Sequence, residues 1–111
     1  MKRLIIMSLL IGCFHTQAKH RKICLQDALD LIEFANGGLD TPWGKVRSDM
    51  GHPKPFNLKF IGVGNEQWGP DYIARYKVFE KAIKSKYPKM TIVSGSGPFP
   101  EGDYFEYGMQ E

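Results

Sequence analysis

Cysteine and histidine are scarce in this sequence, with two of the first and three of the second among 111 residues. The histidines (His15, His20 and His52) are scattered, and none has a cysteine or carboxylate at ligand spacing, so a zinc site has little support. No apolar run reaches the ~20 residues that cross a bilayer, which argues against stable membrane insertion. An excess of charge of one sign is lacking too. The formal net charge is only +3, and Lys77, Lys81, Lys84 and Lys86 lie on one amphipathic segment rather than among base-stacking aromatics, so a nucleic-acid partner is not expected. What remains is ordinary globular composition, 42% hydrophobic and 24% charged, neither disordered nor fibrous.

Residues 1–18 read differently from the rest. Lys2 and Arg3 precede the apolar run Leu4 to Phe14, and Thr16-Gln17-Ala18 offers a small-x-small site, the three-part layout of a secretory signal. The expected location is therefore secreted or periplasmic, with the fold confined to residues 19–111. Leu10-Ile11-Gly12-Cys13 also resembles a bacterial lipobox, in which Cys13 would be lipidated; as an alternative, Cys13 is an ordinary small apolar residue of the signal core. Cleavage after Ala18 leaves Cys24 alone, which excludes an intramolecular disulfide and suggests a helix-packing role for it.

Cys24 to Ala35 carries Leu25, Ala28, Leu29, Ile32 and Ala35 at helical spacing, with Asp27, Asp30 and Glu33 on the other side, before the stop signal Asn36-Gly37-Gly38. Gly38 to Asn57 is rich in Gly, Pro and polar residues and reads as a long loop containing Trp43 and Phe56. Leu58 to Val63 fits a buried strand. Gly69-Pro70-Asp71 reads as a helix start, and Tyr72, Tyr76, Phe79 and Ile83 line one face of a helix that should stop at Tyr87, before Pro88. Met90 to Val93 is a second short strand, ending in Ser94-Gly95-Ser96-Gly97-Pro98.

Strand, helix, strand in this order is a right-handed crossover between parallel strands, whose last residues reach the same sheet edge. In α/β barrels and open sheets that edge carries the chemistry. One such unit is not a domain, since a closed (β/α)8 barrel takes roughly 250 residues. The first helix also lacks a strand before it, the signal-like segment standing in that place. The expectation is an α/β chain cut at both ends.

Glycines after the strands invite a nucleotide-binding reading, but the spacing refuses it. Gly62-Val63-Gly64 is followed by Gln67 where a third fingerprint glycine belongs, and Ser94-Gly95-Ser96-Gly97 has no following Gly-Lys-Ser/Thr. No cofactor is expected. Asn65-Glu66 is the more informative pair. A carboxylate at the end of a buried strand suffers desolvation unless it is hydrogen-bonded or has chemical work there. In a partly apolar cleft such a glutamate stays protonated near neutral pH and can donate to a leaving-group oxygen. An adjacent asparagine amide can bind a sugar hydroxyl, and Trp68 can face a sugar ring. From residue types alone, an exposed loop glutamate or a helix-capping one accounts for Glu66 as well.

A resemblance adds to this. Phe60-Ile61-Gly62-Val63-Gly64-Asn65-Glu66-Gln67-Trp68-Gly69 is similar to the strand-end motif of glycoside hydrolase family 51 α-L-arabinofuranosidases. The segments 26–37, 43–53 and 93–98 also resemble that family, and the likeness extends over roughly Leu25 to Tyr107. It implies a fragment of a (β/α)8 TIM barrel, from the third helix through the fourth strand and helix to the fifth strand. It also implies Glu66 as general acid/base and Asn65 as the residue that binds the sugar 2-hydroxyl. Gln67 and Trp68 fall among cleft-lining positions, and Trp43 either joins them or packs.

The implied reaction is retaining hydrolysis of terminal α-L-arabinofuranosyl residues, with an arabinose-containing oligo- or polysaccharide as the partner. That mechanism needs a second carboxylate ~5 Å from the first as nucleophile. Glu101, Glu106 and Glu111 do not match the family's nucleophile motif, so the chain is expected to be inactive alone. The alternative is a non-catalytic carbohydrate-binding remnant using Trp43, Trp68 and Asn65.

Overall fold

The computed structural model describes residues 6–7, 18–64, 68–95 and 101–110. Its elements are β1 (Ile6–Met7), α1 (Ala18–Asn36), α2 (Pro42–Asp49), β2 (Phe60–Gly62), α3 (Pro70–Lys86), β3 (Thr91–Val93) and α4 (Asp103–Gln110). The strands form one sheet in the order β1-β2-β3, and both pairings are parallel. The register sets Ile6 beside Ile61 and Met7 beside Gly62, then Ile61 beside Ile92 and Gly62 beside Val93.

The N-terminal strand differs from the sequence-based expectation. Ile6 and Met7 belong to the sheet rather than outside the fold, and they supply the strand that seemed to be missing before the first helix. α1 also begins at Ala18, the residue after which cleavage was expected. A short β-branched apolar run satisfies the pattern of a leader core and of a buried strand alike, so the sequence could not separate the two. Cys13 and the Thr16-Gln17 part of the cleavage site lie outside the described residues. Cys24 is disulfide-bonded in the full chain, so the exclusion of a disulfide, which assumed cleavage, does not describe this chain. Cys24 is nonetheless buried in the core.

Hydrophobic packing lies on one side of the sheet. α1 contributes Cys24, Ala28, Ile32 and Ala35, and α3 contributes Tyr72, Ile73, Phe79 and Ile83. The strand segment adds Leu58, Ile61 and Val63, and Met90 closes the cluster ahead of β3. Ile61 and Val63 alternate with the half-buried Phe60 and Gly62, so the first pair faces the helices. The opposite face is open: Thr91 and Val93 are exposed, Val93 by 50%. Parallel sheets are covered on both faces in complete domains.

Residues 38–57 are not a plain loop. Thr41 caps α2, its hydroxyl accepting from the Gly44 N–H at 3.1 Å, and Pro42 follows at the first helical position. Gly44 has no room for a side chain, because a Cβ there would run into the carbonyl oxygens of Gly37 and Gly38. Arg47 holds this segment together. The residue is 1% exposed, and its guanidinium donates to the carbonyls of Phe34, Gly37, His52 and Pro53 at 2.8 to 3.0 Å. The Asn36 amide pairs with Leu58 in both directions, Nδ2 to the carbonyl at 2.8 Å and Leu58 N–H to Oδ1 at 2.6 Å. The end of α1 is thereby pinned to the start of the β2 segment.

Candidate active site

β2 and β3 run parallel, so their C-terminal ends emerge on one edge of the sheet. The last β2–β3 bond has Val63 N–H donating to the Val93 carbonyl at 3.0 Å. Gly64 then turns the chain with φ of 91°, a backbone region that side-chain-bearing residues avoid. Asn65, Glu66 and Gln67, the predicted sugar-binding and acid/base positions, lie outside the described residues. The chain returns with Trp68 half-exposed, Gly69 at φ of 86°, and Pro70 as the first residue of α3. Glycines in the left-handed region therefore bracket the segment on both sides. Trp68, Gly69, Pro70 and Asp71 line a shallow depression at the start of α3.

Tyr72, in the first turn of α3, reaches back to this edge. Its hydroxyl donates to the Val63 carbonyl at 2.7 Å and accepts the Gly95 N–H at 2.9 Å, joining the ends of both strands. Burial raises the Tyr72 phenol above its ordinary value of 10.0, against the opposing pull of the Gly95 N–H. Tyr76, its ring 6.2 Å from that of Tyr72, is raised by burial first, then by the charge of Glu80 and by Tyr72. Both phenols stay protonated through neutral pH, and Tyr72 keeps a proton to donate. Sequence reading assigned Tyr72 to the apolar face of a helix and missed its hydroxyl. The only available signal was a polar-tipped aromatic where the face approaches the strand end.

Trp43 does not join Trp68. α2 follows α1 and precedes β2, so Trp43 belongs to the N-terminal edge of the sheet, opposite the strand ends. There it shares a shallow depression with Asp27, Asp30, Leu31 and Phe34, while its backbone N–H donates to Glu33 Oε2 at 3.1 Å. Its side chain stays 40% exposed beside α1. His52 is structural: Nδ1 lies 2.7 Å from the Lys54 carbonyl and the ring stacks on Phe56 with centroids 4.1 Å apart. Among the described residues no three metal-ligating side chains converge, and no helix is long and apolar enough to cross a membrane.

Parallel strands joined by helical crossovers define part of an α/β fold. The alpha-L-arabinofuranosidase 1 domain matches residues 2–109, and the chain belongs to the family 51 α-L-arabinofuranosidases. It is 46% identical over 107 residues to an extracellular exo-α-L-arabinofuranosidase of Streptomyces chartreusis, covering 92% of this chain and 13% of that protein. It is 44% identical over 89 residues to α-L-arabinofuranosidase 1 of Arabidopsis thaliana, covering 75% of this chain and 13% of that one. A solved family 51 α-L-arabinofuranosidase from Bifidobacterium longum superposes with a TM-score of 0.59 at 28% identity, over 68% of this chain and 17% of that structure. The chain thus spans about one eighth of the curated relatives named here.

Proposed function

We propose that these residues form the acid/base segment of a retaining α-L-arabinofuranosidase, contributing Glu66 as general acid/base and Asn65 as the ligand of the sugar 2-hydroxyl. Gln67 and Trp68 line the cleft beside them. The observation that carries this is the family match across the strand end that leads, through the Gly64 turn, into Asn65-Glu66. In the first half-reaction a protonated Glu66 donates to the departing oxygen while a second carboxylate attacks the anomeric carbon. In the second, ionised Glu66 takes a proton from water as the arabinosyl–enzyme bond breaks. The nucleophile motif does not occur in residues 1–111, so one polypeptide of this sequence holds half of the pair.

In a closed (β/α)8 barrel the elements would be the third strand and helix (β1, α1), the fourth strand and helix (β2, α3) and the fifth strand with the helix after it (β3, α4). Sequential parallel order and an uncovered second sheet face support that placement. The substrate class is an arabinose-containing oligo- or polysaccharide. An extracellular relative supports export from the cytoplasm, whereas the signal-like reading of residues 1–18 must accommodate Ile6 and Met7 in the sheet.

The test is a graft. Residues 2–109 replace the matching segment of the Streptomyces chartreusis enzyme, and turnover of an aryl α-L-arabinofuranoside is measured. Turnover that Glu66→Gln lowers by about 10²- to 10⁴-fold is expected; a graft whose turnover is unaffected by Glu66→Gln refutes the assignment. The 111-residue chain assayed alone should give no turnover above blank.

A further inference from the structure

The β2–β3 ladder has a regular sequence of bonds up to the edge where the candidate site begins. Thr91 N–H donates to the Lys59 carbonyl at 2.9 Å and Val63 N–H to the Val93 carbonyl at 3.0 Å. In a parallel ladder the bonds recur at every second residue, so the next rung would run from Gly95 N–H to the Val63 carbonyl. That rung is interrupted. The Tyr72 hydroxyl stands between its two ends, donating to Val63 O at 2.7 Å and accepting from Gly95 N at 2.9 Å. Tyr72 is 3% exposed, so neither backbone group needs water to be satisfied.

We propose that Tyr72 is a positioning residue: its hydroxyl wedges the ends of β2 and β3 apart and sets the spacing from which the chain leaves the sheet at Gly64 and at Gly95. The hydroxyl takes the place of one ladder bond and keeps both orphaned groups paired, so the separation is stable rather than frayed. A phenylalanine would leave the Val63 carbonyl and the Gly95 N–H facing each other with no bridge. The ladder would then extend by one rung and draw the two strand ends together. Fixing catalytic groups to within a fraction of an ångström is the ordinary task of such supporting residues. The link to catalysis rests on the acid/base reading of Glu66; the wedge itself does not.

The experiment is solution NMR on the isotopically labelled 111-residue chain. In the wild type a protected Tyr72 hydroxyl proton should show a cross-peak to the Gly95 amide, with no through-hydrogen-bond coupling between Gly95 N and the Val63 carbonyl carbon. In Tyr72→Phe that direct coupling should appear, and the Glu66 carboxyl titration midpoint should move. Phe79→Leu, a core change on the same helix, should do neither. A direct Gly95–Val63 coupling in the wild type overturns the wedge and requires no variant to fold. A folded Tyr72→Phe with unaltered coupling and an unaltered Glu66 midpoint overturns the positioning role. Failure of the acid/base reading would be recognised separately, as indifference of the grafted enzyme to Glu66→Gln.

Discussion

Replacing Arg47 with methionine should be the most damaging single change outside the hydrophobic core. Arg47 is 1% exposed, and its guanidinium donates to four carbonyls, those of Phe34 and Gly37 at 2.8 Å and those of His52 and Pro53 at 3.0 Å. Hydrogen bonds to a charged group are worth about 1.5–3 kcal/mol each, but their simple sum overstates the loss, because the carbonyls relax and water enters. Removing one member of a buried, paired set typically costs about 3–5 kcal/mol. That is at least a fifth of the roughly 5–15 kcal/mol holding an ordinary domain together. With a urea slope of about 2 kcal/mol per molar, the unfolding midpoint should fall by about 2 M. Tryptophan fluorescence in urea is a suitable assay, since Trp43 sits on the helix that Arg47 anchors. Arg47→Lys should recover part of the loss, its ammonium lacking the planar fork that reaches both sides. A midpoint for Arg47→Met within about 0.3 M of wild type, at equal slope, would show that the loop is not held as described.

Other changes test other joints. Asn36→Ala breaks both bonds to Leu58 and should lower stability by about 1–3 kcal/mol in the same urea experiment. Gly64→Ala forces a side chain into a φ of 91° and should cost about 1–2 kcal/mol, readable as a lower thermal midpoint. Alkaline pH should destabilise the fold through Tyr72. Its folded value lies above the ordinary 10.0, so the folded state holds a proton that the unfolded state releases, and stability falls as pH rises from about 10 through the folded value. Phenolate absorbance with parallel circular dichroism checks this, and Tyr72→Phe should flatten that part of the curve.

Periodicity made α3 readable almost to the residue, because a Gly-Pro-Asp start, a repeating apolar face and a proline stop all agree. β2 and β3 were legible as short apolar runs bounded by turn residues. α2 was hidden because its Thr-Pro start sits among Gly and Pro residues, and because it is held by a buried arginine that no apolar pattern reveals. α4 lies in a segment where no helix was anticipated. β1 was concealed by chemistry shared between leaders and strands. The Tyr72 bridge could not be read because it joins residues 63, 72 and 95, a proximity that only the packed sheet creates.

The role of Glu66 is tested most directly by leaving-group dependence in the grafted enzyme carrying Glu66→Ala. If Glu66 protonates the departing oxygen, kcat/KM should fall steeply for alkyl or sugar leaving groups and little for a dinitrophenyl group, which departs without a proton. Added azide should restore turnover by replacing the water that Glu66 activates. An equal loss for both leaving groups, with no recovery in azide, would contradict the assignment.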